Sequence, residues 1–308
     1  MARPVLLDQA MTAPRQVLAG TTYLVTRRCL NRCFFLRPTR LTNDTVGYLL
    51  AVAAARYSVQ VHAFCVLSNH LHLVVTDPAA QLPEFHKYLD SLVARSINAA
   101  LGRWETFWAP HSYSAVVLVT PADIVRKTAY VLANPVAAGL VRRACRWPGL
   151  WSSPASIGGR ALRFSRPHHF FRENGSMPAT AELPLVAPPA FSDAETFREK
   201  ICAELDALEV AARAQASATG RGFLGEARIL KVRPTARPED REKRRGLSPR
   251  VACRDKWKRI ETLGRLASFV EAYRDALRAW RSGQQGVVFP AGTYLVRVTH
   301  RVACAAPG

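Results

Sequence analysis

Acidic residues are scarce in this 308-residue chain: 23 Asp and Glu stand against 43 Lys and Arg, a formal charge of +20. Such an excess favours a polyanionic partner, nucleic acid first and an anionic membrane surface second. A GC-rich gene that writes arginine freely would leave the same imbalance. Long apolar runs are missing as well. No stretch approaches the roughly 20 residues that cross a bilayer, so no membrane partner is expected. The first 19 residues carry Arg3, Asp8 and Arg15 without a sustained apolar run and do not read as a signal peptide. Paired cysteines are absent: Cys29, Cys33, Cys65, Cys145, Cys202, Cys253 and Cys304 are scattered and form no C-x-x-C. A zinc site or disulfide framework is therefore not expected, and reduced thiols fit a cytoplasmic protein. A Walker-type glycine loop is also lacking, and no internal repeat is seen. What remains is 49% hydrophobic, enough for a packed core.

The pattern over the first half alternates between two periods. Thr21–Cys29 reads as a strand, rich in β-branched and aromatic residues. Asn43–Tyr57 reads as an amphipathic helix with an Asn or Asp cap. Val59–Leu67 and Leu71–Thr76 are two strands joined by a tight hairpin around Ser68, Asn69 and His70. Pro83–Leu101 is helical with proline in its first turn. An aromatic loop, Gly102–Pro110, leads to a fourth strand at Tyr113–Val119. Pro121–Asn134 is a third helix, ended by Pro135 because the residue before proline is pushed out of the α region. The first six elements match an α+β, ferredoxin-like antiparallel sheet with helices on one face, leaving the other face free to bind.

Residues 1–171 are thus expected as one domain and the Pro-, Ala-, Gly- and Ser-rich residues 172–191 as a linker. Residues 192–308 are expected as a basic, mainly helical C-terminal extension. Within it, Ser192–Ser217 and Lys256–Arg281 read as helices and Val287–Val298 as a terminal strand pair.

Two constellations carry chemistry. His70 and His72 are two apart, so on a strand both imidazoles share a face with backbones roughly 7 Å apart. Two such rings can converge on one divalent ion. On spacing alone the pair also reads as two unrelated surface histidines. Tyr130 and Asn134 stand at i and i+4, on one helical face. A tyrosine hydroxyl with a free pKa of about 10 is a poor nucleophile unless its target is already polarised by a metal. Taken alone, the same pair reads as a half-buried tyrosine with a capping Asn before proline.

Together the two resemble a known family. The pieces are Val66–Val75 with its Ser68-Asn69-His70-Leu71-His72 core, then Gly102-Arg103-Trp104 with Phe107 and Trp108, then Tyr130–Val141 with Asn134-Pro135-Val136 inside it. In this order and spacing, Thr21–Leu150 resembles the REP-associated tyrosine transposases, a branch of the single-tyrosine HUH transposases. The family usually has an aromatic where Leu71 stands and a basic residue near Ala137, departures that do not touch the reacting groups. The resemblance implies an HUH nuclease core in which His70 and His72 bind Mg²⁺ or Mn²⁺, Tyr130 attacks single-stranded DNA, and Asn134 is an assisting ligand. It implies a 5′-phosphotyrosine link and a free 3′-OH. A catalytically idle, domesticated protein that holds hairpin DNA is the second reading, and a replication-initiator or relaxase-type nickase the third.

Other residues follow from charge. Arg27, Arg28, Arg32 and Arg37 after the first strand, Arg126 and Lys127 one turn before Tyr130, and Arg244, Arg245, Lys256 and Lys258 in the basic stretch are candidate phosphate contacts. Each also reads as solvated surface charge. Trp104, Phe107 and Trp108 read as base-stacking residues or as loop packing. His62 lies on the preceding strand, as a site neighbour or a core histidine. Single-stranded or hairpin DNA is the expected partner, with monomer and homodimer both open.

Overall fold

A computed structural model describes residues 14–110, 113–239 and 249–306. The chain forms two compact units, Ala19–Lys256 and Met1–Leu18 with Trp257–Gly308.

The larger unit is built on a mixed five-stranded sheet. Its strands are β1 (Thr21–Arg28), β2 (Gln60–Leu67), β3 (His70–Asp77), β4 (Ser114–Leu118) and, late in the chain, a short strand at Val251–Ala252. They lie in the order β2-β3-β1-β4 followed by the short strand. The first four are antiparallel and the short edge strand runs parallel to β4. Helices α1 (Arg40–Arg56) and α2 (Leu82–Ala100) pack together, and α3 (Pro121–Ala137) packs against β2 and β3.

Local chemistry sets the helix starts. The Thr39 hydroxyl caps α1 by accepting the Thr42 N–H at 3.1 Å, so the helix begins at Arg40, three residues before the Asn43 start expected from sequence. Asp77, buried at the end of β3, accepts the N–H groups of Ala79, Gln81 and Leu82 and so opens α2. Thr120 and Asp123 cap α3, with the Thr120 side chain accepting the Asp123 N–H at 3.2 Å and donating to the Asp123 carboxylate at 2.6 Å. Burial alone would raise the Asp123 carboxyl. Hydrogen bonds from the Thr120 hydroxyl and the Arg254 N–H instead hold it below the ordinary aspartate value.

Three expectations fail here. Pro135 does not end α3: the helix runs through it to Ala137. Proline removes the N–H that would bond the Val131 carbonyl, yet the helix continues for two more residues; nearby, the Leu132 carbonyl accepts the Trp151 indole N–H at 3.0 Å and the Pro135 carbonyl accepts the Leu140 N–H at 3.0 Å. The sheet does not leave one face open, because every residue from Val61 to Leu67 and from Leu71 to Asp77 is buried. By alternation His70, His72, Val74 and Thr76 share the face that carries α3, so both faces are covered along β2 and β3.

The third concerns residues 172–191, which are packed rather than a free linker. They contain β6 (Thr180–Leu183), paired with β5 (Leu162–Ser165), and place Ala181, Leu183 and Leu185 in the core. The Phe164 ring of β5 sits where a Cβ on Gly47 of α1 would be, which is why glycine stands inside that helix. The free edge of β2 is covered by short bridges to Trp151 and Leu185, which removes it as a template for pairing with other chains. Helix α4 (Ala194–Ala218) starts on an Asp193 cap, and its stripe of Phe197, Ile201, Leu205 and Glu209 is buried. Glu209 accepts the Ala144 N–H at 2.7 Å. A short α5 (Glu226–Lys231) follows, and then the edge strand already described, β7 (Val251–Ala252).

In the smaller unit, α6 (Lys256–Arg281) spans the expected residues. β8 (Val288–Phe289) and β9 (Ala303–Cys304) pair in parallel, with α7 (Leu295–His300) between them. Phe269, Tyr273, Phe289 and Val296 form the core. The terminal strand pair expected over 287–298 is thus half right: Val288–Phe289 is a strand, but Leu295–His300 coils into a helix that buries Val296. The β-branched residues there follow their tertiary setting rather than their strand preference. Among the described residues none of the seven cysteines is in a disulfide, and no helix is long and apolar enough to cross a membrane.

Candidate active site

Strand alternation brings the two histidines onto one face at the start of β3. The ring centroids of His70 and His72 are 4.7 Å apart, edge to face. Their backbone neighbours on β1 are Arg28 and Thr26. Each ring is held at Nδ1. The Thr26 hydroxyl lies 2.8 Å from His72 Nδ1, and the Asn69 carboxamide oxygen lies 2.6 Å from His70 Nδ1. Asn69 is itself oriented by donating its amide N–H to the Arg32 carbonyl at 3.2 Å. An oxygen acceptor at Nδ1 fixes the proton there in His70 and makes Nε2 the basic nitrogen. Thr26 and Asn69 were not singled out by sequence as site residues. The signal was present for both: Thr26 stands across from His72 if the first and third strands pair, and Asn69 precedes the first histidine.

His72 is buried and His70 half-buried. Burial, then His70 and Arg28 nearby, hold His72 well below the ordinary imidazole value. It is therefore neutral at physiological pH, the protonation state that ligates metals.

Helix α3 supplies the third group. The Tyr130 ring lies 5.8 Å from the His72 ring, nearly edge to face, and is 42% exposed. A chain of three rings, His70–His72–Tyr130, thus runs from the sheet to a side chain reachable from solvent. Lys127, one turn earlier, places its ammonium 5.4 Å from the Tyr130 ring centroid. Burial, then Arg126, lowers its pKa. Asn134 stands one turn after Tyr130 and is buried. It joins the group by helical position alone.

The remaining candidates divide. Arg27 is turned inward, paired with Asp90 at 3.1 Å, donating to the Ala109 carbonyl at 3.2 Å and lying over Trp108. These contacts make it a brace between β1, α2 and the following loop, not an open phosphate contact. Arg126 is paired with Asp123 at 3.3 Å. Arg37 donates to the carbonyls of Leu230 and Val232. Arg28 is exposed at the strand position across from His70. Lys256 and Lys258 are exposed on the first turn of α6. Arg244 and Arg245 lie outside the described residues. Phe107 and Trp108 are buried in the core, whereas Trp104 is 90% exposed.

His62 is a core histidine. It is fully buried, at the end of β3 away from His70. Its Nδ1 donates to the Val186 carbonyl at 2.8 Å and its Nε2 accepts from the Thr76 hydroxyl at 2.7 Å. Thr22 completes the chain, 2.7 Å from Thr76. Burial pushes His62 down to about 4.

No family model matches the chain, and no curated protein matches it. Two solved structures are similar in part. One is a REP-associated tyrosine transposase bound to a REP hairpin, at 18% identity and TM-score 0.39 over 45% of this chain and 81% of that one. The other is a presumptive transposase from Deinococcus radiodurans, at 21% identity and TM-score 0.27 over 34% of this chain and 85% of that one. Neither superposition is close enough to carry an assignment, which rests on the residues themselves.

Proposed function

We propose that this protein is a metal-dependent DNA transposase and endonuclease that cleaves and rejoins structured single-stranded DNA through a 5′-phosphotyrosine intermediate. The observation that carries the reading is the contiguous ring group His70–His72–Tyr130. The sheet order β2-β3-β1-β4 with its intervening helices fits the ferredoxin-like arrangement of an HUH nuclease core.

The donor set fits Mg²⁺ or Mn²⁺. Two imidazoles, each held at Nδ1, would supply two nitrogens, and Asn134, one helical turn after Tyr130, would supply an amide oxygen, leaving other positions for water and phosphate oxygens. When bound, such an ion neutralises charge on the scissile phosphate and polarises it.

The chain's own residues do the rest. Thr26 and Asn69 hold the imidazoles in place, and helix α3 holds Tyr130 against His72. The Tyr130 oxygen forms a bond to phosphorus, and the bond from phosphorus to the 3′ oxygen breaks. The phenolic proton is released, and the departing 3′ oxygen takes one up. Lys127 faces the ring from which negative charge leaves during this step. Rejoining is the reverse: a 3′-OH attacks the phosphotyrosine. The bond energy is kept in the intermediate, so no nucleotide triphosphate is needed. Positioning and charge neutralisation supply most of the acceleration.

The test is adduct formation on a denaturing gel, using labelled hairpin DNA from the flanks of the protein's own gene. A Mg²⁺- or Mn²⁺-dependent protein–DNA adduct is expected, and it should vanish in chelator and in Tyr130→Phe. Cleavage that persists in Tyr130→Phe would overturn the assignment. Binding without any adduct under either metal would favour the idle hairpin-binding protein.

A further inference from the structure

Of the three aromatics in the loop after α2, Phe107 and Trp108 are buried, yet Trp104 is 90% exposed. An indole left in water on a mobile tip would need no account. This loop is braced. The Arg103 N–H donates to the Asn98 carbonyl at 2.8 Å, and the Asn98 amide N–H donates to the Glu105 carbonyl at 2.8 Å, so the turn is tied on both sides of Trp104. The Arg103 guanidinium lies 4.0 Å from the centroid of the Phe35 ring. Beyond it, Trp108 donates its indole N–H to the Asp90 carbonyl at 2.8 Å.

The same loop sits at the histidine end of the sheet. The Leu30 N–H donates to Phe107 at 2.8 Å and the Ala109 N–H donates to Arg28 at 2.9 Å. Arg28, the last residue of β1, is the residue across from His70 of β3. The order across the sheet is therefore His70, Arg28, then the Trp104 loop. An exposed indole on a braced loop, an exposed arginine and the candidate active site share one edge, in a chain of charge +20. Nucleic-acid grooves combine these elements, in which cations track phosphates and aromatic faces stack on unpaired bases.

We propose that Trp104 is a stacking platform for an unpaired base of the single-stranded DNA engaged at the Tyr130 site. This rests on the single-stranded DNA reading above. Trp104 acts as a positioning residue: it sets the register of the strand, while Tyr130 and the histidines act on the phosphate. Stacking is not ionic, so its loss lowers affinity without changing how affinity falls with salt. Duplex DNA, with its bases already stacked, gains little from the indole.

The test uses the full chain with Tyr130→Phe to prevent turnover, and two labelled probes: a hairpin with unpaired thymidine flanks and a blunt duplex of equal length. Affinity is measured by fluorescence anisotropy across a salt series. Trp104→Ala should weaken flanked-hairpin binding by roughly 5- to 100-fold. The salt slope should stay the same and duplex binding should change by less than about twofold. Trp104→Phe should restore most of the loss. An abasic site scanned along the flank should reproduce the loss at one position, and there Trp104→Ala should add nothing more. Unchanged hairpin affinity in Trp104→Ala, or an equal loss for hairpin and duplex, would overturn the proposal. Should the parent protein still form its Tyr130 adduct in that case, the active-site reading would survive. A parent chain that binds neither probe would overturn both.

Discussion

Strand β3 has a histidine beside each of its two ends, and the two ends differ in what they do with polar groups. At the Asp77 end, His62 has both ring nitrogens taken, by Val186 and Thr76, and Asp77 is fully engaged by the start of α2. At the His70 end, Nδ1 of each histidine is held by Asn69 or Thr26, and the rings lead to a partly exposed tyrosine. His62 and His72 are alike in depth and both are held neutral by burial. Burial and a lowered pKa thus do not separate a structural histidine from a candidate ligand. The separation lies in whether one face of the ring group is aimed at another reactive side chain.

That contrast can be broken most sharply at His72. His72→Ala should abolish metal-stimulated adduct formation, a fall of roughly 10³-fold or more, while the protein still folds by circular dichroism. His62→Ala should do the reverse, destabilising the fold and leaving the chemistry intact wherever the protein remains folded. Equal effects of the two substitutions on cleavage would erase the distinction.

Next in size is the acid response of the fold. The His62 pKa is near 6.5 in the unfolded chain and about 4 when folded. Above pH 6.5 the ring is neutral in both states. As pH falls below that, the unfolded chain takes up a proton that the folded one refuses, so stability is lost down to about pH 4 and no further. The loss amounts to about 3 kcal/mol. His72 is shifted in the same direction and adds to the loss. Urea unfolding in chelator between pH 7 and 4 should show the slope, and His62→Gln should flatten it. A stability independent of pH across that window would contradict the burial of both rings as neutral species.

The smallest effect should come from Thr26→Val, which keeps shape and removes the partner of His72 Nδ1. Losing such an orienting hydrogen bond typically costs about 10- to 100-fold in metal affinity or activity. Mn²⁺ titration followed by electron paramagnetic resonance should show the weakened binding with little change in unfolding midpoint. A Thr26→Val protein with parental Mn²⁺ affinity would mean that Thr26 does not set the ring.

These residues also show how far the chain could be read without coordinates. Residue patterns located β1 to β4, α2 and α6 within a residue or two. The His-x-His pair was legible as well, since alternation alone puts both rings on one face. Long-range packing was not legible. The Pro-rich residues 172–191 look like a linker by composition, yet Leu183 and Leu185 close the core over α1 and β2. Pro135 looks like a helix stop, yet α3 runs on to Ala137, and Trp151 bonds the nearby Leu132 carbonyl. Arg27 looks like a phosphate contact until Asp90, on α2, comes up beside it. In each case the deciding partner is remote in sequence, so no local window contains it.

The most direct test of the account is to find where the DNA is attached. The protein, hairpin DNA and Mn²⁺ would be allowed to react, the adduct digested with protease and nuclease, and the modified peptide sequenced by mass spectrometry. The account predicts a nucleotide joined through its 5′-phosphate to Tyr130. Attachment at any other residue, or strand cleavage with no covalent peptide at all, would contradict it.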